Sequence, residues 1–210
     1  MDESGKITRL GDAKSARFNY FPGVIFPKSR RKMKKQILVY GVVSGAIIIG
    51  SIILSLVTSD ADSSMAALEW LGYLIMLVAL SVIFIAIKRY RDQELGGVIK
   101  FGTAFLMGLG ISLVASLIYI VTWEAHLAVT DYAFIDTYVD GVIAAKEAEG
   151  VTGAELEQTV TEMEELKTQY NNPVFRLFIT FTEIFPVGLI VSLISAAVLR
   201  NAKVLPANAV

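Results

Sequence analysis

The chain has no cysteine, which excludes disulfides, thiolate metal sites and a cysteine nucleophile. It has a single histidine, His126. One imidazole advertises no metal centre, since such sites need three or four ligands. The phosphate-cradling glycine loop, the H-E-x-x-H pair and the dinucleotide fingerprint are all missing. Serines inside the apolar runs, Ser112 and Ser116 among them, have no His or Lys base at the same depth, which argues against a serine hydrolase. No catalytic residue, metal or cofactor is expected, and nucleic acid is not an expected partner.

What the chain does have is apolar blocks. Of its 210 residues, 54% are hydrophobic, and mean hydropathy is +0.58. That exceeds the usual apolar share of a soluble domain. The blocks are long, as membrane spans are. About 20 helical residues cross the roughly 30 Å hydrocarbon core. Four stretches qualify: residues 37–57, 70–87, 101–123 and 175–199. The first follows a basic flank and is longer than the apolar core of a signal peptide, so it reads as an uncleaved helix. The expected fold class is all-α: an integral membrane protein with four transmembrane helices and an extracytoplasmic helical pair between the third and fourth.

The remaining segments are polar. Residues 1–36 read as a disordered basic segment, and Met33-Lys34-Lys35 offers a second start of translation directly before the first span. In the insert, residues 124–173, the run from Asp131 to Glu149 has apolar residues at helical spacing and either forms its own helix or continues the third span. Thr152 and Glu155 have the spacing of a capping box. Leu156, Val160, Met163, Leu166 and Tyr170 then repeat as one apolar face, ended by Asn171-Asn172-Pro173. Because that helix carries mostly Glu, packing of the pair on itself is expected over binding to a membrane surface. Residues 200–210 read as a tail.

Basic residues orient the chain. Lys28–Lys35 holds six, the second connection has Lys88, Arg89, Arg91 and Lys100, and Arg200 and Lys203 follow the last span. The first outer loop has none. The positive-inside rule then places both termini in the cytoplasm. Lys88, Arg89, Arg91 and Lys100 read as a topology anchor or as ligands of anionic lipid head groups.

Small residues recur where helices should meet. Gly41 and Gly45 form GxxxG; Ala104, Gly108, Ser112 and Ser116 recur every four residues; Gly188 and Ser192 repeat the interval in the last span. These are the expected packing positions.

The sharpest single signal is Glu183, three residues before Pro186. A charged residue at mid-membrane costs about 2.5–3.5 kcal/mol on insertion scales, so it is a functional hypothesis by default. Pro186 lacks an N–H, so the Thr182 carbonyl loses its helical donor and a kink or notch is expected. By helical phase the small residues Gly188 and Ser192 lie opposite Glu183, which shares its face with Arg176, Val187 and Ile190. Glu183 is expected to be a structural carboxylate bonded to Tyr, Trp or Ser of a neighbouring helix. Proton or ion movement through Glu183, Thr182 and Pro186 is the alternative, and catalysis a third reading.

IKRYRDQELGGVIKFGTAF (Ile87–Phe105), LVASLIYIVTW (Leu113–Trp123) and NPVFRLFITFTEIFPVGLIVSLISA (Asn172–Ala196) resemble a bacterial inner-membrane family called domain of unknown function 4199, from about Met33 to Leu199. The resemblance implies a four-helix protein of the bacterial inner (cytoplasmic) membrane with its acidic insert outside, and no particular activity. The expected partners are the lipid bilayer and either a second copy or another membrane protein. A non-enzymatic structural or interaction module of the envelope is the expected function; a small proton- or ion-coupled transporter is the alternative.

Overall fold

The computed structural model describes residues 27–58 and 65–207. Six helices follow in order: α1 (Pro27–Thr58), α2 (Met65–Glu94), α3 (Phe101–Val129), α4 (Phe134–Ala148), α5 (Ala154–Tyr170) and α6 (Pro173–Leu199). There is no strand among the described residues. Among the described residues, four stretches are long and apolar enough to span a membrane: Arg30–Ser51, Trp70–Glu94, Phe101–Val129 and Pro173–Leu199.

The four long helices form a bundle in which α3 runs antiparallel to α6 and parallel to α1. Helix α3 packs on α6 and α1, α2 packs on α1 and α6, and α2 also touches α3. Around an apolar core that includes Leu80, Ile83, Met107 and Ile111, the bundle also buries hydroxyls and exposes leucines, unlike a soluble domain. Leu38, Leu74, Leu106, Leu117 and Ile190 are exposed, while Ser44, Ser112, Ser116, Thr180, Ser192 and Ser195 are buried. Lipid tails are as apolar as leucine, so burying leucine does not drive such helices together; small residues and hydrogen bonds do. Ser44 Oγ donates to the Ala79 carbonyl across α1 and α2 at 3.0 Å.

The glycines show how close the helices come. A Cβ at Gly41 would sit 2.5 Å from that of Val114, and one at Gly45 would sit 2.8 Å from Ile118 Cγ2. The α1 GxxxG thus receives a four-spaced ridge of α3. On the other side of α3, a Cβ at Gly108 would meet Ser192 Oγ at 2.7 Å, and one at Gly188 would meet Ser112 Oγ at 2.5 Å. The two seams leave no room for a methyl group.

Helix limits differ from the expected ones. Helix α1 starts at Pro27, so residues 27–36, expected to be disordered, extend the first helix; residues 1–26 lie outside the described residues. Proline suits a first helical turn, where its missing N–H has no partner anyway, and the Lys and Arg that follow are good helix formers. Helix α2 likewise continues to Glu94 and carries the basic cluster on its last turns. The insert is two further helices. Its first does not continue α3, because the chain breaks at Asp131 and Tyr132, whose φ angles are 52° and 58°. The expected cap at Thr152 is absent. Gly153 occupies the N-cap of α5 with φ 66°, a backbone that glycine adopts without strain. The pair does pack on itself: Ile135 and Val139 of α4 are buried, and Lys167 pairs with Asp136 at 2.7 Å.

Left-handed backbone costs a non-glycine residue roughly 1–2 kcal/mol, less for Asp. Asp131→Gly is therefore expected to raise stability by about 0.5–1 kcal/mol. A thermal melt in detergent checks this, and an unchanged or lower midpoint would show that Asp131 makes a compensating contact.

Candidate functional site

The two ends of the bundle hold its charged residues, and each is built differently. At the basic end, Arg91 is fully buried. Its Nε donates to Asp92 Oδ1 at 2.7 Å, and Nη1 donates to the Val204 carbonyl at 2.9 Å and more weakly to that of Leu199 at 3.4 Å. Its Nη2 donates to the Leu205 carbonyl. Val204 and Leu205, within the expected tail, are thus fastened to the end of α2. Arg91 was a candidate for head groups; instead it is spent on protein carbonyls. Lys88 pairs with Asp92 at 2.7 Å. Arg89 is exposed, bonding Gln93 and, at 3.5 Å, Tyr40. Lys100 is exposed and occupies the N-cap of α3 without a side-chain bond. Of the four, Arg89 and Lys100 are exposed, and Arg89 is partly held by Gln93 and Tyr40.

At the opposite end, where the α4–α5 hairpin sits, the charges are knitted together. Arg176 in the first turn of α6 is buried. It grips Glu124 of α3 with two bonds, Nε to Oε1 at 2.7 Å and Nη2 to Oε2 at 2.9 Å. Its Nη1 donates to the Tyr170 carbonyl at 3.1 Å. The Tyr132 ring lies 4.9 Å from the guanidinium carbon and that of Tyr170 5.9 Å. A bidentate fork with aromatic faces around it suits arginine and no other cation. The strained turn at Asp131 and Tyr132 is what brings the Tyr132 ring there.

Glu183 lies one step deeper. Tyr119 Oη donates to its Oε2 at 3.0 Å. Tyr119 itself is buried and stacks on Trp123, whose Nε1 donates to Tyr170 Oη at 2.8 Å. Glu183, in contrast, is exposed on the flank of α6, as are Thr182 and Pro186. The small face of α6, with Gly188 and Ser192, is buried against α3. The expected opposition of the two faces therefore holds. Arg176 departs from it. On a straight helix it shares Glu183's face, but the buried stripe of α6 runs Arg176, Thr180, Ile184, Gly188, Ser192, Ala196. A four-residue step turns about 400°, so such a stripe drifts about 40° per step around the helix. Helix α6 stays helical through Pro186. Thr182 Oγ1 donates back to the Ile179 carbonyl at 2.7 Å.

The other expected packing residues fall at the seams. Ala104, Gly108, Ser112 and Ser116 are buried on α3. Ser112 and Ser116 return their hydroxyls to the Gly108 and Ser112 carbonyls, at 3.0 and 2.9 Å. Ser112 Oγ and Ser192 Oγ are 3.4 Å apart. His126 rests against Trp123 with ring centroids 5.4 Å apart. No cluster of metal-binding side chains occurs among the described residues.

In the hairpin, burial pushes the Tyr170 phenol above its usual range, opposed by the Trp123 N–H and helped by the nearby Glu183 charge. Its neutral form is therefore favoured by folding. That contribution is present below about pH 10 and lost as pH rises through the higher folded value. Tyr170→Phe should consequently lose less stability than wild type between about pH 9 and 11. Parallel denaturation curves at the two pH values read this, and equal losses would refute it. Lys167 is also pushed up, by the Asp136 hydrogen bond, but this pair is exposed and adds little.

Sequence reasoning expected a Tyr, Trp or Ser donor for Glu183 without naming Tyr119, and it missed the Arg176–Glu124 pair and the Arg91 clasp. The register of α3 against α6 was the available signal for the first two. Gly108 faces Ser192, Ser112 faces Gly188 and Glu124 faces Arg176, so the numbers of each pair share one sum, as antiparallel helices require.

Two comparisons with known proteins find nothing: no curated protein and no solved structure matches the chain. A third does match. Residues 39–201 fit the family described as "Protein of unknown function (DUF4199)", and the chain belongs to that family.

Proposed function

We propose that this member of the DUF4199 family is a non-enzymatic interaction module of the bacterial inner membrane. Its termini and basic end face the cytoplasm, and the α4–α5 hairpin faces outward. The basic residues at one end and the mainly acidic hairpin at the other support that orientation. One observation carries the functional reading: Glu183, the lone carboxylate deep in a span, stands on the outer flank of α6 and not within the bundle. Behind it the α3–α6 seam is too tight for an added methyl group. A proton or ion path that used Glu183 would need a polar gap between helices, as discontinuous transporter helices provide. Here α6 is continuous through Pro186, and Tyr119 occupies the inward side of the carboxylate.

Two measurements test this. In proteoliposomes, wild type and Glu183→Gln should both give proton and cation flux equal to that of empty vesicles. Flux above that background that falls in the Gln variant would establish the transporter instead. In a denaturation assay, Glu183→Gln should cost under about 1 kcal/mol of stability, because the amide oxygen still accepts from Tyr119.

A further inference from the structure

We infer that the outward face of α6 around Glu183 docks a transmembrane helix of another protein, one that carries a lysine or arginine at the depth of Glu183. This rests on the interaction-module reading and gives it a partner of stated chemistry.

The face has a definite shape. Phe178, Thr182, Pro186, Ile190 and Ile194 form a four-spaced ridge, and all five are exposed. Bulky residues mark its ends, while Thr182 and Pro186 make its middle low. Glu183 stands beside that low point. Two hydrogen-bond acceptors belong to adjacent residues there. Tyr119 occupies Oε2 of Glu183, and Oε1 has no hydrogen bond among the described residues. The Thr182 carbonyl is the second, because the residue that should donate to it is Pro186, which has no N–H. Lipid tails supply no donor, so an ionised Glu183 on a lipid-facing surface calls for a donor from another polar molecule. The natural complement is a group with donors and no acceptor, and among charged side chains Lys and Arg meet that description.

A second copy does not fit as well. The sequence has no Lys or Arg between Gln36 and Ile87, between Phe101 and Ala145, or between Leu177 and Leu199. Glu183 lies about 15 Å along α6 from Pro173, well inside the span. A two-fold contact through this face would set carboxylate against carboxylate. The nearest cation on α6, Arg176, is about 10 Å away along the helix and already holds Glu124.

The test uses the full chain in phosphatidylcholine vesicles, labelled on the hairpin with a donor fluorophore. The probes are two acceptor-labelled poly-leucine transmembrane peptides, identical except for one central lysine or leucine. Energy transfer should show the lysine peptide binding at least tenfold more tightly than the leucine peptide. The preference should vanish in Glu183→Gln. It should persist in Tyr119→Phe, which frees the carboxylate without removing it. Equal binding of the two peptides, or a lysine preference that survives Glu183→Gln, would overturn the inference. Transfer between copies of the protein that Glu183→Gln abolishes would also overturn it, in favour of self-association. A failed peptide test without ion flux leaves the module reading standing, with the hairpin as its surface.

Discussion

Gly188→Ala is expected to lower stability by about 2 kcal/mol, and adding Ser112→Gly to recover most of the loss. The new Cβ would lie 2.5 Å from Ser112 Oγ and 2.6 Å from Ser112 Cβ. The hydroxyl can rotate away, but the Cβ cannot, so the two helices must separate. Separation loosens the whole α3–α6 seam, which also carries the Ser112–Ser192 contact. Removing the Ser112 side chain restores the space. Gly108→Ala with Ser192→Gly should be rescued less completely, because Ile83 of α2 also stands 3.0 Å from the Gly108 Cβ position. Gly72 supplies a control of opposite sign: nothing lies within 4 Å of its Cβ position, so Gly72→Ala should gain up to about 1 kcal/mol of helix propensity. Detergent unfolding of the single and double variants decides the matter. A Gly188→Ala protein as stable as wild type would mean that α3 and α6 are not in this register.

Arg176→Met is expected to cost about 3 kcal/mol. Methionine fills much of the volume but supplies no donor. The Glu124 carboxylate then loses both bonds and its paired cation, and the Tyr170 carbonyl loses its donor. Breaking a buried pair is typically worth about 3–5 kcal/mol, and Glu124 is partly open to its surroundings, which favours the lower end. Adding Glu124→Gln to Arg176→Met should recover part of the loss by removing the stranded charge. The same denaturation assay applies, with Trp123 emission reporting local loosening of the hairpin end. If the double variant is no better than Arg176→Met, the loss comes from packing and not from the uncompensated carboxylate.

Much of the fold was legible because membrane spans are written locally. A run such as Phe101–Trp123 shows its length, its apolar character and its four-spaced small residues within one stretch. The seams at Gly41, Gly45, Gly108 and Gly188 followed for the same reason. What was not legible depends on pairs far apart in the chain. Glu124 and Arg176 each look like residues at a membrane boundary; only the helix register makes them partners. Helical phase placed Glu183 away from the small face, but it could not place Arg176, because the buried stripe winds around α6. Arg91 looked like its neighbours Lys88 and Arg89, and nothing in Lys-Arg-Tyr-Arg-Asp says which of them turns inward. The turn at Asp131 and Tyr132 escaped notice because neither is the glycine that such backbone usually selects.

The Arg91 clasp also sets an order of events during synthesis. Arg91 leaves the ribosome 108 residues ahead of Leu199 and 114 ahead of Leu205, whose carbonyls it will hold. Until those residues arrive, Asp92 can hold its Nε, but Nη1 and Nη2 must stay with water or lipid phosphate. Helices α1, α2 and α3 can therefore be inserted while the end of α2 is still open, and the fold is locked only when the last helix has been threaded and the chain beyond it turns back. A nascent protein stalled before Leu199 should be the species most exposed to membrane quality-control proteases.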